Sequence, residues 1–276
     1  MRVYVEGVGL RGPGLDGWEA SAPVLSGAQH YVAAPTRLPP ATLLPANERR
    51  RAVQTVKIAL AVGEEAMEAA HRDPAATVTV FASSGADGDT IHEILTVLAS
   101  ADRAVSPTRF HNSVHNTPAG YWSIAIGSTA ASTSLCCHDD SFAAGLLEAS
   151  VQTCVDGHAV ALIAYDAPYP SPLHEKRLLG AAFGVALVLT PEPTPAAFAI
   201  IELALEPGAA AAGILASAEL EALRQSTPAA RCLPLLSALA RQDDSRMSMD
   251  YLGDMVLNLK VNRIGHVTGM IGETRI

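Results

Sequence analysis

Residues 132–165, STSLCCHDDSFAAGLLEASVQTCVDGHAVALIAY, constrain the fold more than any other part of the chain. They form a strand at 132–137, a tight turn through Asp139 and Asp140, and a helix from Ser141 to about Val155 that Gly157 stops. Phe142, Leu146, Leu147, Val151 and Cys154 are expected on the buried side of that helix. A wholly apolar strand follows at 159–165. An uninterrupted apolar strand belongs in the middle of a sheet covered on both faces.

The rest of the chain repeats the pattern. Strands are expected at 3–8, 77–81, 183–189 and 198–205, and helices at 47–71, 90–98 and 118–126. Further helices are expected at 218–225, 233–241 and 251–261, after a Gly/Ala-rich stretch at 208–213. Residues 15–46 are rich in Ala, Pro and Gly and lack periodicity, so a long loop or several short turns are expected there. Residues 265–276 match no element. Strands alternating with helices define an α/β fold. The 276 residues fit one large domain over 1–276.

Composition removes several classes of function. Charged residues are 17% of the chain, against ~25% in an average soluble protein. The net charge of −9 argues against a nucleic-acid or anionic-membrane surface. The longest apolar run, 181–189, is far short of a membrane span, and no signal peptide is expected in the first residues. The four cysteines, Cys136, Cys137, Cys154 and Cys232, include no C-x-x-C pair. They are expected to be reduced thiols in a cytoplasmic protein.

The chemistry-bearing residues allow sharp and plain readings. Cys136 and Cys137 are nucleophile candidates, or else small buried residues of an interior strand. His138, Asp139, Asp140 and Ser141 hold the letters of a triad, but consecutive residues diverge where a triad must converge. His111 and His115 have a metal-ligand spacing if helical, yet Pro107 and Pro118 bracket what is expected to be a loop, and no metal site is expected. The turn from Ser83 to Gly88 lacks a P-loop's lysine. Arg49, Arg50 and Arg51 form a solvated face, or a contact for an acidic partner.

Taken in order, these motifs resemble the β-ketoacyl synthases. VYVEGVGLRGPG resembles their first strand and turn, and TVTVFASSGADGD a following unit. HNSVHNTPAGYWSIAIGS resembles their Asn-containing loop and helix. TSLCCHDDSFAAGLLEA with VDGHAVALIAYDAP is similar to their nucleophile strand, elbow, helix and next strand, and LLGAAFGVALVLTPEP to the strand closing the first half. The resemblance covers about 3–205. It implies a thiolase-like α/β fold, a single N-terminal ketosynthase half with a mixed sheet under helices, and no cofactor. Residues 206–276 then form a C-terminal extension. Complete ketosynthases have a second half that supplies two catalytic histidines and a lysine.

Counting back without gaps from Gly157 and the strand 159–165, the family's nucleophile position falls on Asp140. A carboxylate there is a good helix cap and a poor acyl acceptor. The resemblance therefore implies a non-catalytic subunit, similar to a chain length factor, paired with an active ketosynthase and met by an acyl carrier protein. Short proteins of this kind resemble those of aryl polyene pathways. On this reading Phe110, His111, Asn112, His115, Ser134 and Cys136 line the partner interface and acyl tunnel, and the strand at 132–137 is the contact edge. Two alternatives stay open: a free-standing synthase or acyltransferase using Cys136 or Cys137, and a homodimeric interaction protein without acyl chemistry.

Overall fold

Strand β1 (Arg2–Gly12) runs through the middle of the sheet, antiparallel to β6 (Phe183–Thr190) on one side and β7 (Ala199–Pro207) on the other. A two-residue β2 (Leu15–Asp16) folds back on its end. Beyond β6 lie β5 (Val160–Asp166), β3 (Val78–Ala82) and β4 (Ser132–Leu135), mutually parallel. Beyond β7 lie β9 (Met255–Arg263) and β8 (Ser245–Tyr251), both antiparallel. The sheet is thus mixed, in the order β4-β3-β5-β6-β1-β7-β9-β8. These relationships come from a computed structural model that describes residues 1–85, 87–209 and 215–264.

Helices cover both faces. On one lie α3 (Gln54–Ala69) and α6 (Thr117–Ile126), packed through Val56, Leu60, Val62, Tyr121 and Trp122. Helix α3 touches the backbone of β1, which is why glycine is needed there: a Cβ at Gly7 or Gly9 would strike the carbonyl of Ala66 or Val62. On the other face lie α1 (Trp18–Leu25), α7 (Ser141–Asp156), α9 (Ala218–Ser226) and α10 (Leu233–Arg241). Every residue of β5 and β6 is buried, as the apolar runs require of strands sandwiched between helix layers. Helix α4 (Gly88–Ala99) and the short helices α2 (Ala46–Arg51), α5 (Pro107–Asn112) and α8 (Leu173–Lys176) complete the connections.

Several expectations are corrected. The helix expected at 251–261 is the β8–β9 hairpin: Leu257, Leu259 and Val261 face the core while Asn258 and Lys260 alternate outward, a period of two. The loop expected at 15–46 contains β2 and α1, whose Ser21 and Leu25 are buried. The helix expected at 47–71 breaks at Ala52, where the backbone is extended, into α2 and α3. The expected strand 132–137 ends at Leu135, and it lies at the edge of the sheet. On α7, Val151 and Cys154 are exposed; the buried stripe runs through Phe142, Gly145, Leu146, Ala149, Ser150 and Thr153. Small residues there let the helix close on β3 and β5. Residues 265–276, and 210–213 of the Gly/Ala stretch, lie outside the described residues.

Candidate functional site

Parallel strands deliver their carboxyl ends to one rim, the usual place for a site in an α/β sheet. Here β4, β3 and β5 end at Leu135, Ala82 and Asp166, and α7 and α4 begin beside them. The chain leaves β4 through Cys136 and Cys137 and makes one 3-10 turn, His138–Asp140, before entering α7. His138 holds a left-handed backbone (φ 53°). Ser141 Oγ locks the turn, accepting from the Cys137 N–H at 3.0 Å and donating to the His138 carbonyl at 2.7 Å.

Asp140 stands at the head of α7, but its carboxylate does not cap the helix. Its Oδ1 is 2.9 Å from Arg231 Nη1, and its Oδ2 accepts the Leu252 N–H at 3.1 Å. The expectation of a simple cap is thereby corrected: stronger acceptor demand from the C-terminal segment turns the side chain away. Asp139 receives Arg177 Nη2 at 2.8 Å and Arg231 Nη2 at 3.2 Å. Burial works to raise the Asp139 pKa and is its largest single influence. The hydrogen bond and charge of Arg177, with the charges of Arg231 and His138, outweigh it and hold the carboxyl below its usual range. Two carboxylates and two guanidiniums therefore close the bend.

The two thiols leave the sheet with the bend, so the reading of small buried residues on an interior strand is also corrected. Cys136 is exposed and its Sγ donates to the Ser84 carbonyl at 3.3 Å. Cys137 is half-buried, and burial, then Cys136 and Asp140, push its pKa up, which disfavours the thiolate. Among the described residues no imidazole nitrogen hydrogen-bonds either sulfur, and no three His, Cys, Asp or Glu side chains gather as a metal site.

Most of the remaining interface candidates lie on α5 and in the turn after it. Asn112 is buried, donating to the Arg51 carbonyl at 2.9 Å and accepting from Tyr121 Oη at 3.1 Å. His111 meets the Tyr121 ring edge-on, and His115 Nε2 lies 3.5 Å from the Ser83 carbonyl. Phe110 is 68% exposed. His111 sits within α5, not in the loop expected between Pro107 and Pro118. Ser134 is half-buried on the edge strand itself. Asp87, from the Ser83 to Gly88 turn, caps α4 through the Thr90 N–H.

Arg177, Arg231 and Asp166 escaped the sequence reading. Asp166, fully buried at the end of β5, accepts from the Ser84 and Ala229 N–H groups at 2.9 and 2.8 Å and from Ser84 Oγ at 2.7 Å. It binds the β3 turn to the segment carrying Arg231. No spacing signals these contacts, whose partners stand 38 or more residues apart in sequence.

Parallel strands beside an antiparallel set, with helices on both faces and a strand–bend–helix at the rim, define an α/β thiolase-like fold. Within that class the chain belongs to the β-ketoacyl synthase family: the N-terminal domain of that family matches residues 25–249. Solved structures share the fold. A chain in the complex of a ketosynthase (ApeO) with its chain length factor (ApeC) from Xenorhabdus doucetiae is 19% identical, with a TM-score of 0.71 over 94% of this chain and 99% of that one. A chain in a type II polyketide acyl-carrier protein–ketosynthase complex (AntDE:AntF) is 13% identical, with a TM-score of 0.73 over 95% and 99%. A β-ketoacyl synthase from Burkholderia phymatum STM815 is 13% identical, with a TM-score of 0.68 over 96% and 100%. No curated protein sequence matches the chain. Among the described residues no helix is long and apolar enough to cross a membrane.

Proposed function

We propose that this chain is a non-catalytic, chain-length-factor-like subunit that pairs with an active β-ketoacyl synthase. The observation that carries the reading is Asp140. It occupies the head of α7, where a family nucleophile would project, and both its oxygens are engaged by Arg231 and the Leu252 N–H. A carboxylate so held is a poor acyl acceptor, and its charge opposes the oxyanion that thioester chemistry develops. The partner supplies the cysteine and both histidines. This chain supplies the opposing surface: edge strand β4 with Ser134, the exposed Cys136, and Phe110, His111, Asn112 and His115. An unpaired edge strand favours a covering partner. A bulky wall then stops the growing acyl chain sterically, since extension past it overpacks the tunnel. The motif resemblance points to an aryl polyene-type product carried on an acyl carrier protein in a cytoplasmic setting.

The test is reconstitution with the cognate ketosynthase. A stable complex is expected, and Asp140→Ala leaves condensation largely intact. Loss of turnover in an assembled Asp140→Ala complex overturns the assignment. One observation favours a second reading, a free-standing acyltransferase: Cys136 is exposed at the bend. Acyl transfer by the isolated chain, abolished by Cys136→Ala, would establish it.

A further inference from the structure

The edge of the sheet opposite β4 is β8, whose sequence is SRMSMDY. It contains no proline, and its seven residues form a complete run beside β9. Side chains alternate: Met247 and Met249 point into the core, opposite Leu259 and Leu257. Arg246, Ser248 and Asp250 fall on the other face, over which no helix packs among the described residues.

That outer face carries a charged ladder in register across four strands. Arg2 pairs with Glu202, Glu202 with Lys260, and Lys260 stands directly opposite Arg246. The first two steps are ion pairs, at 2.6 and 3.4 Å. The last step sets two cations side by side, which is unfavourable across strands. Among the described residues Arg246 has no ion pair, and Glu202 is already shared by Arg2 and Lys260.

We infer that β8 pairs antiparallel with β8 of a second copy of this chain, about a two-fold axis at Ser248. The strand is self-complementary about that residue. Ser248 meets Ser248, Met247 meets Met249, and Arg246 of each copy meets Asp250 of the other. The Arg246 cation, repelled by Lys260 on its own chain, gains a carboxylate on each side of the axis. Asp250 also feels Arg224 within its own chain, and the cross-copy contact adds to that interaction. The methionines join across the axis on the inner face, so the apolar layer continues from one copy to the next. Such an isologous contact closes as a dimer rather than a fibre. It leaves β4 free, so a ketosynthase bound at β4 would produce a two-fold pair of heterodimers, but the inference does not depend on that partner.

The experiment uses the full chain alone, in sedimentation velocity over a concentration series. A reversible dimer is expected. Arg246→Asp or Asp250→Arg each turns two attractive cross-copy pairs repulsive and weakens the dimer about tenfold or more. The double variant R246D/D250R exchanges the charges and returns the dimer to wild-type strength. Circular dichroism checks that each variant is folded, and Ser248→Cys provides an independent probe: mild oxidation crosslinks it, beyond any background from the native cysteines. A monomer at every concentration, a dimer indifferent to both reversals, a double variant no stronger than the singles, or no added crosslink at residue 248 each overturns the inference. The second of these outcomes places the dimer elsewhere, β4 included.

Discussion

Arg231 Nη1 lies 2.9 Å from Asp140 Oδ1, joining the head of α7 to the turn before α10 across 91 residues of sequence. Both side chains are mostly covered, at 29% and 20% exposed. Removing the carboxylate also strands the Leu252 N–H. Asp140→Ala is therefore expected to cost about 1–2 kcal/mol in urea unfolding. A double-mutant cycle with Arg231→Ala should return a coupling of about 1 kcal/mol. A coupling near zero would mean that solvent screens the pair and that the bend is held by its other contacts, those of Ser141, Asp139 and the Leu252 N–H.

The four thiols should separate cleanly by reactivity. Cys136 and Cys154 are exposed and are expected to take iodoacetamide first at neutral pH. Cys137 should lag, because burial and its neighbours raise its pKa. Cys232 is fully buried with a strongly raised pKa and should react only when the protein is unfolded. Timed alkylation with peptide mass mapping gives the order. Rapid, selective labelling of Cys137 would contradict the geometry of the bend.

Glu221 provides a pH signature. The Arg224 hydrogen bond lowers its pKa from the ordinary 4.5 to about 2, with Gln225, the Leu215 N–H and the Arg224 charge assisting against burial. The folded value lies below the unfolded one, so the ionised carboxylate stabilises the native state above the unfolded pKa. That stability is lost as pH falls from about 4.5 towards about 2. Glu221→Gln should be less stable than wild type at pH 7, and the two should converge across that window. Parallel stability curves down to the acid limit would show that the ion pair contributes nothing.

How much of this was legible in the sequence follows from the range of each cause. The strand at 160–166 and helix α7 were readable because local patterning dictates them: every residue of β5 is buried and Gly157 ends the helix in a left-handed cap. Asp140 was placed at the bend by the same register. The second strand of the β8–β9 hairpin reads as a helix in the sequence because an apolar residue at every second position also satisfies parts of a helical stripe. The break at Ala52 and the exposure of Cys136 depend on packing between distant segments. Arg177 and Arg231 were invisible for the same reason, since only folding brings them to Asp139.

The partner interface can be probed without disturbing the fold. Phe110 lies within the short helix α5 with 68% of its surface exposed, near the buried anchor Asn112, which holds α5 to the Arg51 carbonyl and to Tyr121. A large exposed aromatic contributes little to the isolated chain, so Phe110→Ser should change its stability by no more than about 0.5 kcal/mol. At a protein interface the same ring is a natural anchor. If α5 and β4 face the ketosynthase, Phe110→Ser should weaken the complex at least about tenfold in a titration by calorimetry. Asn112→Ala, by contrast, removes buried hydrogen bonds and should lower stability and binding together. Unchanged affinity with Phe110→Ser, in a folded chain, would move the contact away from this side of the sheet.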